Sequence, residues 1–298
     1  MACHKYEGFG TPRVFMNFLT DNAFLGVAAV GITFVILSGG IDLSVGAVIG
    51  CVSIMLAVLV SKHHVHPLLA IAIVLAFGAV LGTVHGCLIH YFSIPPFLAT
   101  LAGLFFCRGL ALLISQESIQ IAHPFFQRLS SLSFPADGKV TLSFVALVFL
   151  IVLFIGICVS IYTRFGRNVY AVGGSEQSAL LMGIPVAVTK VGIYTVSGFC
   201  CALAGVVFSI YTTSGNATAC VGLELDAIAA TVVGGTLLSG GYGYVAGTFL
   251  GVLIFGIIQT GISFQGTLSS WWTKIAIGVL LLIFILLQRI IQRKGASA

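Results

Sequence analysis

The sequence predicts an all-α fold, a polytopic transmembrane helical bundle formed by a single domain over residues 1–298. Composition is the first reason: 59% of the residues are hydrophobic, only 7% are charged, and the mean hydropathy is +1.16. A water-soluble fold needs more charged surface than this, whereas lipid does not. The net charge is +5, with basic residues near segment ends, so the expected partner is the lipid membrane and not nucleic acid.

Long apolar segments are the second reason, because about 20 apolar residues cross the hydrocarbon layer as a helix. Nine candidates occur, and the first, second and seventh are short enough to be half-helices or tilted segments. The nine are Asn22–Leu37, Val45–Val60, Leu68–Phe92, Phe97–Ser115, Leu142–Tyr162, Val191–Thr213, Leu225–Leu238, Val245–Phe264 and Trp271–Leu287.

Basic residues near segment ends predict the orientation, since lysine and arginine are enriched in cytoplasmic loops. Residues 163–190 and the C-terminus are then cytoplasmic, and residues 116–141 form an outer loop. The N-terminus falls outside, against the same rule, so either one short segment does not cross or a first helix is absent from this chain. The residues used are Arg164, Arg167, Lys190, Arg289, Arg293 and Lys294, with Lys5 and Arg13 on the conflicting side.

The third reason is the motif between the first two segments, S-G-G-I-D-L-S at residues 38–44. Ser38, Gly39 and Gly40 break the helix, and Asp42 and Ser44 place polar groups between two apolar runs. A carboxylate at mid-membrane costs roughly 2.5–3.5 kcal/mol on insertion scales, so it is expected at an interface, in protein or beside water. Broken backbone is tolerated at membrane depth only in the same places. The motif therefore predicts a polar path through the membrane.

A second copy of part of this motif predicts an internal repeat. Leu37 to Gly40 matches Leu238 to Gly241 at a constant offset. Repeats with interrupted helices are typical of transporters, whose substrate path lies at the repeat junction. The copies are parallel by the segment count and inverted if one segment is re-entrant. Further matches are Gly46 and Gly50 with Gly247 and Gly251, and Ala28-Ala29 with Ala229-Ala230.

Arg108 is a charged residue inside an apolar run. Its guanidinium must pair, snorkel or meet water, so it is either a structural residue or part of the path, with Glu117 or Asp42 as candidate partners. Glu224 and Asp226 precede a short segment, where acidic residues suit a helix N-terminus.

Enzymatic and metal motifs are missing from the sequence. It contains no P-loop for ATP, no nucleophile elbow and no H-x-x-x-H pair with a glutamate between, so neither catalysis nor a metal site is expected. The eight cysteines lack C-x-x-C spacing and lie mostly in apolar runs, which is typical of buried thiols.

The cytoplasmic loop contains a predicted short helix. Ser175 is its expected N-cap, Gly183 its end, and Pro185 prevents it from continuing. A short exposed helix between basic flanks is suited to docking into a soluble partner, and the alternative is a helix that lies on the lipid headgroups.

Three motifs in order resemble one protein family. They are S-G-G-I-D-L-S-V-G at 38–46, R-F-G-R-N-V-Y-A-V-G-G at 164–174 with M-G-I at 182–184, and G-L-E-L-D-A-I-A-A-T-V-V-G-G-T-L-L-S-G-G at 222–241. The sequence resembles the permease subunits of the ribose/xylose/arabinose/galactoside class of bacterial ABC sugar importers over residues 11–289. Residues 19–26 and 266–278 are most similar to members that import galactofuranose.

The resemblance implies a permease in the bacterial inner membrane that pairs with a second permease subunit, identical or different. An ABC ATPase subunit would bind ATP and Mg²⁺, since no cofactor is expected in this chain, and a periplasmic sugar-binding protein would deliver the sugar. Residues 116–141 would face the periplasm. Family members also have one further helix before the position of Asn22. Residues 163–190 would couple the chain to the ATPase through Gly173, Gly174, Ser175, Glu176, Ala179 and Gly183, although Ser175 replaces the usual asparagine.

The expected mechanism is alternating access, with the loop helix as a lever and the glycine breaks as hinges. The glycines are Gly39, Gly40, Gly240 and Gly241. A neutral sugar needs hydrogen-bonding groups, so the candidate pathway residues are Asn22, Ser38, Asp42, Ser44, Thr100, Arg108, Asn216 and Gln259. Asp42 has a second reading, in which it fixes the broken backbone.

Two other functions are open at this stage. An ion-coupled secondary transporter of a small polar solute would use Asp42 and Arg108 and would move solute without other subunits. A structural membrane subunit would tolerate replacement of residues 173–183 by a flexible linker.

Overall fold

A computed structural model describes residues 11–137, 140–265 and 271–295 of the chain. Its helices are α1 (Pro12–Asp21), α2 (Ala23–Leu37), α3 (Val45–Ser61), α4 (Pro67–Tyr91), α5 (Pro96–Ile114), α6 (Pro124–Ser131), α7 (Phe144–Tyr162), α8 (Arg164–Gly174), α9 (Glu176–Leu181), α10 (Val186–Thr212), α11 (Leu223–Val233), α12 (Val245–Gln265) and α13 (Trp271–Gly295). Its strands are β1 (Ile119–Gln120), β2 (Ser133–Asp137), β3 (Val140–Ser143) and β4 (Ser214–Gly215). The helical membrane fold predicted from composition is confirmed.

Within the described residues, 5 helices are long and apolar enough to cross a membrane, namely α4, α5, α7, α10 and the first 18 residues of α12. Helices α1 and α2 would add a sixth span, bent by 61°. The shortness predicted for the first, second and seventh segments is confirmed, because α2, α3 and α11 have 15, 17 and 11 residues. The seventh segment was placed too far along the chain, since α11 stops before Gly234 and Gly235.

Helices α2 and α3 lie at the centre of the bundle and are buried on almost every side. They pack against α10, which is also the main partner of α4. Glycines allow this packing: a Cβ at Gly82 of α4 would overlap the carbonyl oxygen of Tyr194 in α10. Helices α4, α5 and α7 expose large apolar side chains such as Val80, Phe105 and Phe154, as expected of surfaces that face lipid.

Short elements cover the two ends of the bundle. At one end, β1 pairs with β4, β2 pairs with β3, and α6 buries Phe126. At the other end lie α8 and α9, in the loop predicted to be cytoplasmic. Both pairs of strands are antiparallel.

Candidate functional site: two broken segments and the loop that meets them

The first break separates α2 from α3. The backbone leaves the helix at Ser38, turns through Gly39 with φ +78°, and reforms a helix at Val45. The turn is closed by the Gly40 N–H, which donates to the carbonyl oxygen of Val35 at 3.0 Å. The positive φ explains why glycine occupies position 39.

Asp42 fixes this break from inside the bundle. It is 2% exposed, and its Oδ1 accepts from the Ser44 N–H at 2.9 Å and from the Ser44 hydroxyl at 2.6 Å. Its Oδ2 accepts from the Ser197 hydroxyl of α10 at 2.8 Å. Three donors satisfy the carboxylate, as a buried charge requires. The second reading of Asp42, in which it holds the broken backbone, therefore agrees with the structure.

Three further polar side chains lie at this break, Thr100, His85 and Tyr194. Thr100 of α5 accepts from the Leu43 N–H at 3.1 Å and donates to the Pro96 carbonyl at 2.9 Å, so α5 also holds the break. His85 and Tyr194 are both buried, and a Cβ at Gly40 would overlap the Tyr194 hydroxyl. That hydroxyl has no hydrogen-bond partner among the residues that the structure describes.

The sequence reasoning found Asp42, Ser44 and Thr100 but missed Ser197 and Tyr194. Both missed residues lie in the apolar run of α10 and belong to no motif. A single serine or tyrosine in such a run is often a local feature, since Ser and Thr hydroxyls commonly bond to the carbonyl four residues earlier. Only the position of α10 beside the break brings them to the carboxylate.

The second break separates α11 from α12 and contains four glycines with positive φ, Gly235, Gly240, Gly241 and Gly243. It touches the first break directly: the Gly241 N–H donates to the Leu37 carbonyl at 2.8 Å. A Cβ at Gly240 would lie 2.6 Å from the Gly39 nitrogen. The two copies of the repeated motif thus meet in space, as the interrupted helices of transporter repeats do at their junction.

The loop of residues 163–190 meets both breaks at the end of α8. A Cβ at Gly173 would overlap the Leu37 carbonyl oxygen and lie 2.7 Å from the Gly241 nitrogen. A Cβ at Gly241 would lie 2.9 Å from the Gly174 Cα. We call this contact of Gly39, Gly173, Gly174, Gly240 and Gly241 the glycine junction. All five of its members had been predicted as helix breaks or coupling residues in separate motifs, and the structure brings them together.

Helix α8 is anchored to the second break by a side chain as well. The Tyr170 hydroxyl donates to the Gly243 carbonyl at 2.8 Å. Burial raises the pKa of Tyr170 above its ordinary value, so the phenol stays protonated and remains a donor at neutral pH. The helix begins at Thr163, whose hydroxyl accepts from the Gly166 N–H at 3.1 Å.

Helix α9 has the ends that the sequence predicted. The Ser175 hydroxyl accepts from the Ser178 N–H at 3.2 Å, which is an N-cap, and Gly183 follows the helix with φ +76°. Ala179 is buried against α8 and α10. Glu176 pairs with Lys190 at 2.7 Å. The outer face of α9 leaves Leu180, Leu181 and Met182 exposed by 65%, 88% and 68%.

A third irregular segment precedes α11. From Ser214 to Gly222 the chain is non-helical and runs along α3, since Gly215 touches Ser53 and Cys220 touches Gly46. Asn216 closes a turn within it, because its Oδ1 accepts from the Thr218 N–H at 2.8 Å. We call residues 214–222 the outer segment.

Arg108 of α5 binds the backbone of the outer segment. Its Nη1 donates to the carbonyl oxygens of Ala217 at 2.6 Å and Ala219 at 3.0 Å. The partners proposed from the sequence were wrong: among the described residues, neither Glu117 nor Asp42 pairs with Arg108. Sequence reasoning looked for an opposite charge, whereas backbone carbonyls, which no residue type reveals, accept these bonds.

The two acids in the first turn of α11 have different roles. Glu224 Oε1 accepts from the Gly222 N–H at 3.2 Å, which supports the predicted role at the helix start. Asp226 instead pairs with Lys274 of α13 at 2.6 Å. The other oxygen of Glu224, Oε2, is buried without a hydrogen-bond partner in the described part of the chain.

The remaining predicted pathway residues are dispersed. Asn22 is buried at the bend between α1 and α2, where its Nδ2 donates to the Phe18 carbonyl at 3.0 Å. Ser38 donates to the Val35 carbonyl at 2.7 Å, and Gln259 is exposed on α12. The polar cluster at the first break thus contains Asp42, Ser44 and Thr100 but not the whole predicted set.

Metal ligands and disulfides can be assessed over the described ranges only. No group of three or more His, Cys, Asp or Glu side chains is arranged to hold a metal ion there. The described cysteines are free, and Cys51, Cys107, Cys200 and Cys201 are buried, as the sequence pattern indicated.

Comparison with known proteins finds a family and relatives that match nearly the whole chain. The family model of the branched-chain amino acid transport system / permease component matches residues 14–285. The inner membrane ABC transporter permease protein YjfF of Escherichia coli (strain K12) is 56% identical over 285 residues, which cover 96% of this chain and 86% of that protein. No solved structure matches significantly.

Two relatives have sugars in their names. The fructose import permease protein FruG of Bifidobacterium longum (strain NCC 2705) is 40% identical over 288 residues, covering 93% of this chain and 83% of FruG. The ribose import permease protein RbsC of Bacillus subtilis (strain 168) is 40% identical over 288 residues, covering 94% of this chain and 86% of RbsC.

Proposed function

The chain belongs to the family of branched-chain amino acid transport system permease components, and from this premise we propose that it imports galactofuranose through the two broken segments. It is a multi-pass inner membrane protein and the permease subunit of an ABC sugar importer. As such it is a transport component and not an enzyme. The proposal concerns its sugar, its orientation and the way in which its partners drive it.

The glycine junction is the observation that carries the proposed mechanism. The end of α8 touches the last carbonyl of α2 and the backbone of the second break. These contacts join backbone to backbone, without flexible side chains between them, so a displacement of α8 must move both breaks. A force applied to residues 163–190 therefore reaches the centre of the bundle over a single layer of contacts.

The ATPase subunit is proposed to dock on α9. Leu180, Leu181 and Met182 form an exposed apolar edge, and such edges fit a hydrophobic groove on a partner. Gly173, Gly174, Ser175, Glu176, Ala179 and Gly183 shape and support this element. ATP and Mg²⁺ would be bound by the ATPase subunit. The docking also requires residues 163–190 and the C-terminus to face the cytoplasm.

A second permease subunit and a periplasmic sugar-binding protein complete the proposed assembly. Residues 116–137 and 140–141, with α6 and the β2–β3 pair, lie at the end of the bundle opposite α8 and α9. This is the end that would receive sugar from the binding protein. The lining of the path is proposed to include Asp42, Ser44 and Thr100, whose cluster would open when the junction moves.

The identity of the transported sugar is the most specific part of the proposal. Relatives named for fructose and ribose import support a monosaccharide. The similarity of residues 19–26 and 266–278 to galactofuranose permeases favours that sugar. The first stretch lies at the bend between α1 and α2, close to Asn22, and residues 266–270 lie outside the described residues.

The ion-coupled alternative is not favoured. It requires Asp42 and Arg108 to bind and release a coupling ion. In this conformation Asp42 accepts three hydrogen bonds and is 2% exposed. Arg108 is engaged by two backbone carbonyls. Both residues instead hold irregular backbone in place.

Reconstitution tests the proposed function. The chain would be placed in proteoliposomes alone and then with its ATPase, partner permease and binding protein, and uptake of radiolabelled galactofuranose, ribose and fructose would be measured. We expect uptake only in the complete system with ATP, and galactofuranose to be preferred. Uptake by the chain alone would contradict the ABC mechanism, and equal uptake of all three sugars would contradict the proposed specificity.

A further inference from the structure

The outer segment is an unusual piece of chain for a membrane protein. Nine residues without helical structure lie against α3, beginning near Ala57 and ending at Gly46. Non-helical backbone at such a position must have its polar groups bound by protein, since lipid offers no hydrogen bonds. The bonds to this segment therefore decide where it lies.

Backbone pairing and several side chains supply those bonds. Ser214 and Gly215 pair with β1, and the Ser118 hydroxyl donates to the Gly215 carbonyl at 3.3 Å. Ser53 of α3 accepts from the Asn216 N–H at 3.2 Å. Arg108 supplies the two bonds to the carbonyls of Ala217 and Ala219. Hydrogen bonds from a charged donor are the stronger kind, so Arg108 is the main side-chain attachment of residues 217–219, which lie beyond the part that pairs with β1.

The contact with α3 involves glycines and not interlocking side chains. A Cβ at Gly50 would lie 3.0 Å from Arg108 Nη1 and 3.1 Å from the Ala219 carbonyl oxygen. A Cβ at Gly46 would overlap the Cys220 carbonyl oxygen and Glu224 Oε2. Left-handed residues stand before and within the segment, Thr213 with φ +49° and Cys220 with φ +58°, and Gly222 ends it with φ +85°. The segment therefore packs on α3 through close backbone contacts at glycines, and left-handed turns lie near its two ends.

Arg108 of α5 and Glu224 of α11 contact the same face of α3. Gly46 and Gly50 are four residues apart, so the atoms beside them, Glu224 Oε2 and Arg108 Nη1, are separated by about one helical turn, on the order of 6 Å. The carbonyl oxygen of Cys220 lies on the same face. Glu224 Oε2 is buried and has no partner among the described residues. A cation bound to the outer segment and an unused carboxylate oxygen therefore lie near the same face of α3 without pairing.

We propose that Arg108 is a positioning residue of the import cycle, which holds the outer segment on α3 in this conformation and pairs with Glu224 when the segment lifts. The inference rests on the proposed transport function. A guanidinium has five N–H donors, so it can exchange two carbonyl acceptors for one carboxylate without losing charge-assisted bonds. Because Arg108 and Thr100 share α5, a shift of that helix would act on the outer segment and on the first break together.

Cys220 provides a native reporter for this proposal. It lies within the outer segment and is partly buried. Spheroplasts carrying the complete transporter would be treated with a membrane-impermeant maleimide, and modified Cys220 would be quantified by mass spectrometry. In Arg108→Gln we expect the maleimide to modify Cys220 about tenfold faster than in the parent protein, because the segment has lost hydrogen bonds from a charged group. Arg128→Gln, at an exposed arginine of α6, is the matched control and should leave the rate unchanged.

Two further variants separate the two halves of the proposal. Arg108→Lys keeps the charge but not the planar fork, so Cys220 should react several-fold faster, and this variant serves if Arg108→Gln does not reach the membrane. Glu224→Gln keeps an acceptor for the Gly222 N–H and removes the charge. In the parent protein ATP should raise the rate of Cys220 modification, because the segment lifts during the cycle. Glu224→Gln should leave the rate without ATP unchanged, abolish this rise with ATP, and lower uptake about tenfold.

The outcomes are distinguishable from failure of the proposed function. Unchanged Cys220 modification in both Arg108 variants would overturn the holding role. Normal uptake by Glu224→Gln would overturn the exchange of partners. Absence of ATP-driven uptake by the unmodified complex would overturn the proposed function, while the ratio of modification rates without ATP would still decide whether Arg108 holds the segment.

Discussion

The two breaks share the motif L-S-G-G but are held in different ways. The first is fixed by side chains: Asp42 binds Ser44 and Ser197, and Thr100 binds the Leu43 N–H. The second has no charged residue between Gly234 and Tyr244, and four of its glycines have positive φ. The first break is thus a rigid support with a buried carboxylate anchor, whereas the second is a glycine-rich turn that rests on it and is bonded from outside by the Tyr170 hydroxyl.

This difference indicates which break moves more easily. Side-chain hydrogen bonds to a buried carboxylate must be broken together before the first break can change. The second break is attached to the first mainly by the Gly241 to Leu37 hydrogen bond and by close glycine contacts. A push from α8 is expected to displace the second break against the first, and the predictions below examine that asymmetry.

The largest effect is expected where one substitution disturbs both breaks. In Gly173→Ala the new methyl group would overlap the Leu37 carbonyl oxygen, so α8 must move away from the junction. ATP-driven uptake in proteoliposomes should be lost, while the ATPase subunit still binds to the permease in a pull-down.

The neighbouring glycine provides the control. Gly174→Ala adds the same methyl group one residue later, where nothing lies within 4 Å, and uptake should remain within about twofold. Equal loss of uptake in the two variants would show that helix α8 is sensitive to any side chain at its end, and normal uptake by Gly173→Ala would contradict transmission through the junction.

The next largest effect tests the rigidity of the first break. Asp42→Ala leaves the Ser44 N–H and two hydroxyl groups without their acceptor, at a cost of about 1–3 kcal/mol for each unsatisfied buried group. The melting temperature of the detergent-solubilised protein should fall by several degrees, as measured by differential scanning fluorimetry with a thiol-reactive dye. Glu117→Ala, at an exposed carboxylate, should leave it unchanged.

The effect of the contact between the breaks on uptake can be distinguished from the effect of backbone strain. Gly235 and Gly240 both have positive φ, +95° and +81°, so alanine at either position costs roughly 1–2 kcal/mol in backbone conformation. A methyl group at Gly240 also meets the Gly39 nitrogen at 2.6 Å, whereas nothing lies within 4 Å at Gly235. Gly240→Ala should therefore reduce uptake more than Gly235→Ala. Equal reductions would mean that strain alone matters and that the breaks do not act on each other.

Sequence patterns predicted the parts of this arrangement that depend on local chemistry. Breaks at Gly39 and Gly240 follow from glycine pairs, and the cap at Ser175 follows from a hydroxyl before a short amphipathic turn. Asp42 could be singled out because a carboxylate between apolar runs needs donors. Even the end of α11 has a local cause in Gly234 and Gly235, although the apolar pattern continued beyond it.

Tertiary contacts explain what the sequence did not predict. No motif links Gly173 to Leu37, because five helices, α3 to α7, lie between them in the chain and the two residues meet only when the bundle has packed. Arg108 was assigned the wrong kind of partner, since backbone carbonyls are present at every residue. Ser197 is one hydroxyl in an apolar helix and gains its role from its position opposite Asp42. In each case the signal is a spatial neighbour and not a residue type.

The smallest effect is expected for the surface charge of the loop. Glu176 and Lys190 form an exposed ion pair at 2.7 Å, with Glu176 half exposed to solvent. Such pairs contribute about 0–1 kcal/mol because water screens them. Glu176→Gln should therefore change ATP-driven uptake by less than about twofold, which initial rates in proteoliposomes would measure. If the loop acts on the breaks through the backbone of Gly173, its surface charge has little part in transmission. A loss of uptake as large as in Gly173→Ala would instead place the transmitting contact on the surface of α9.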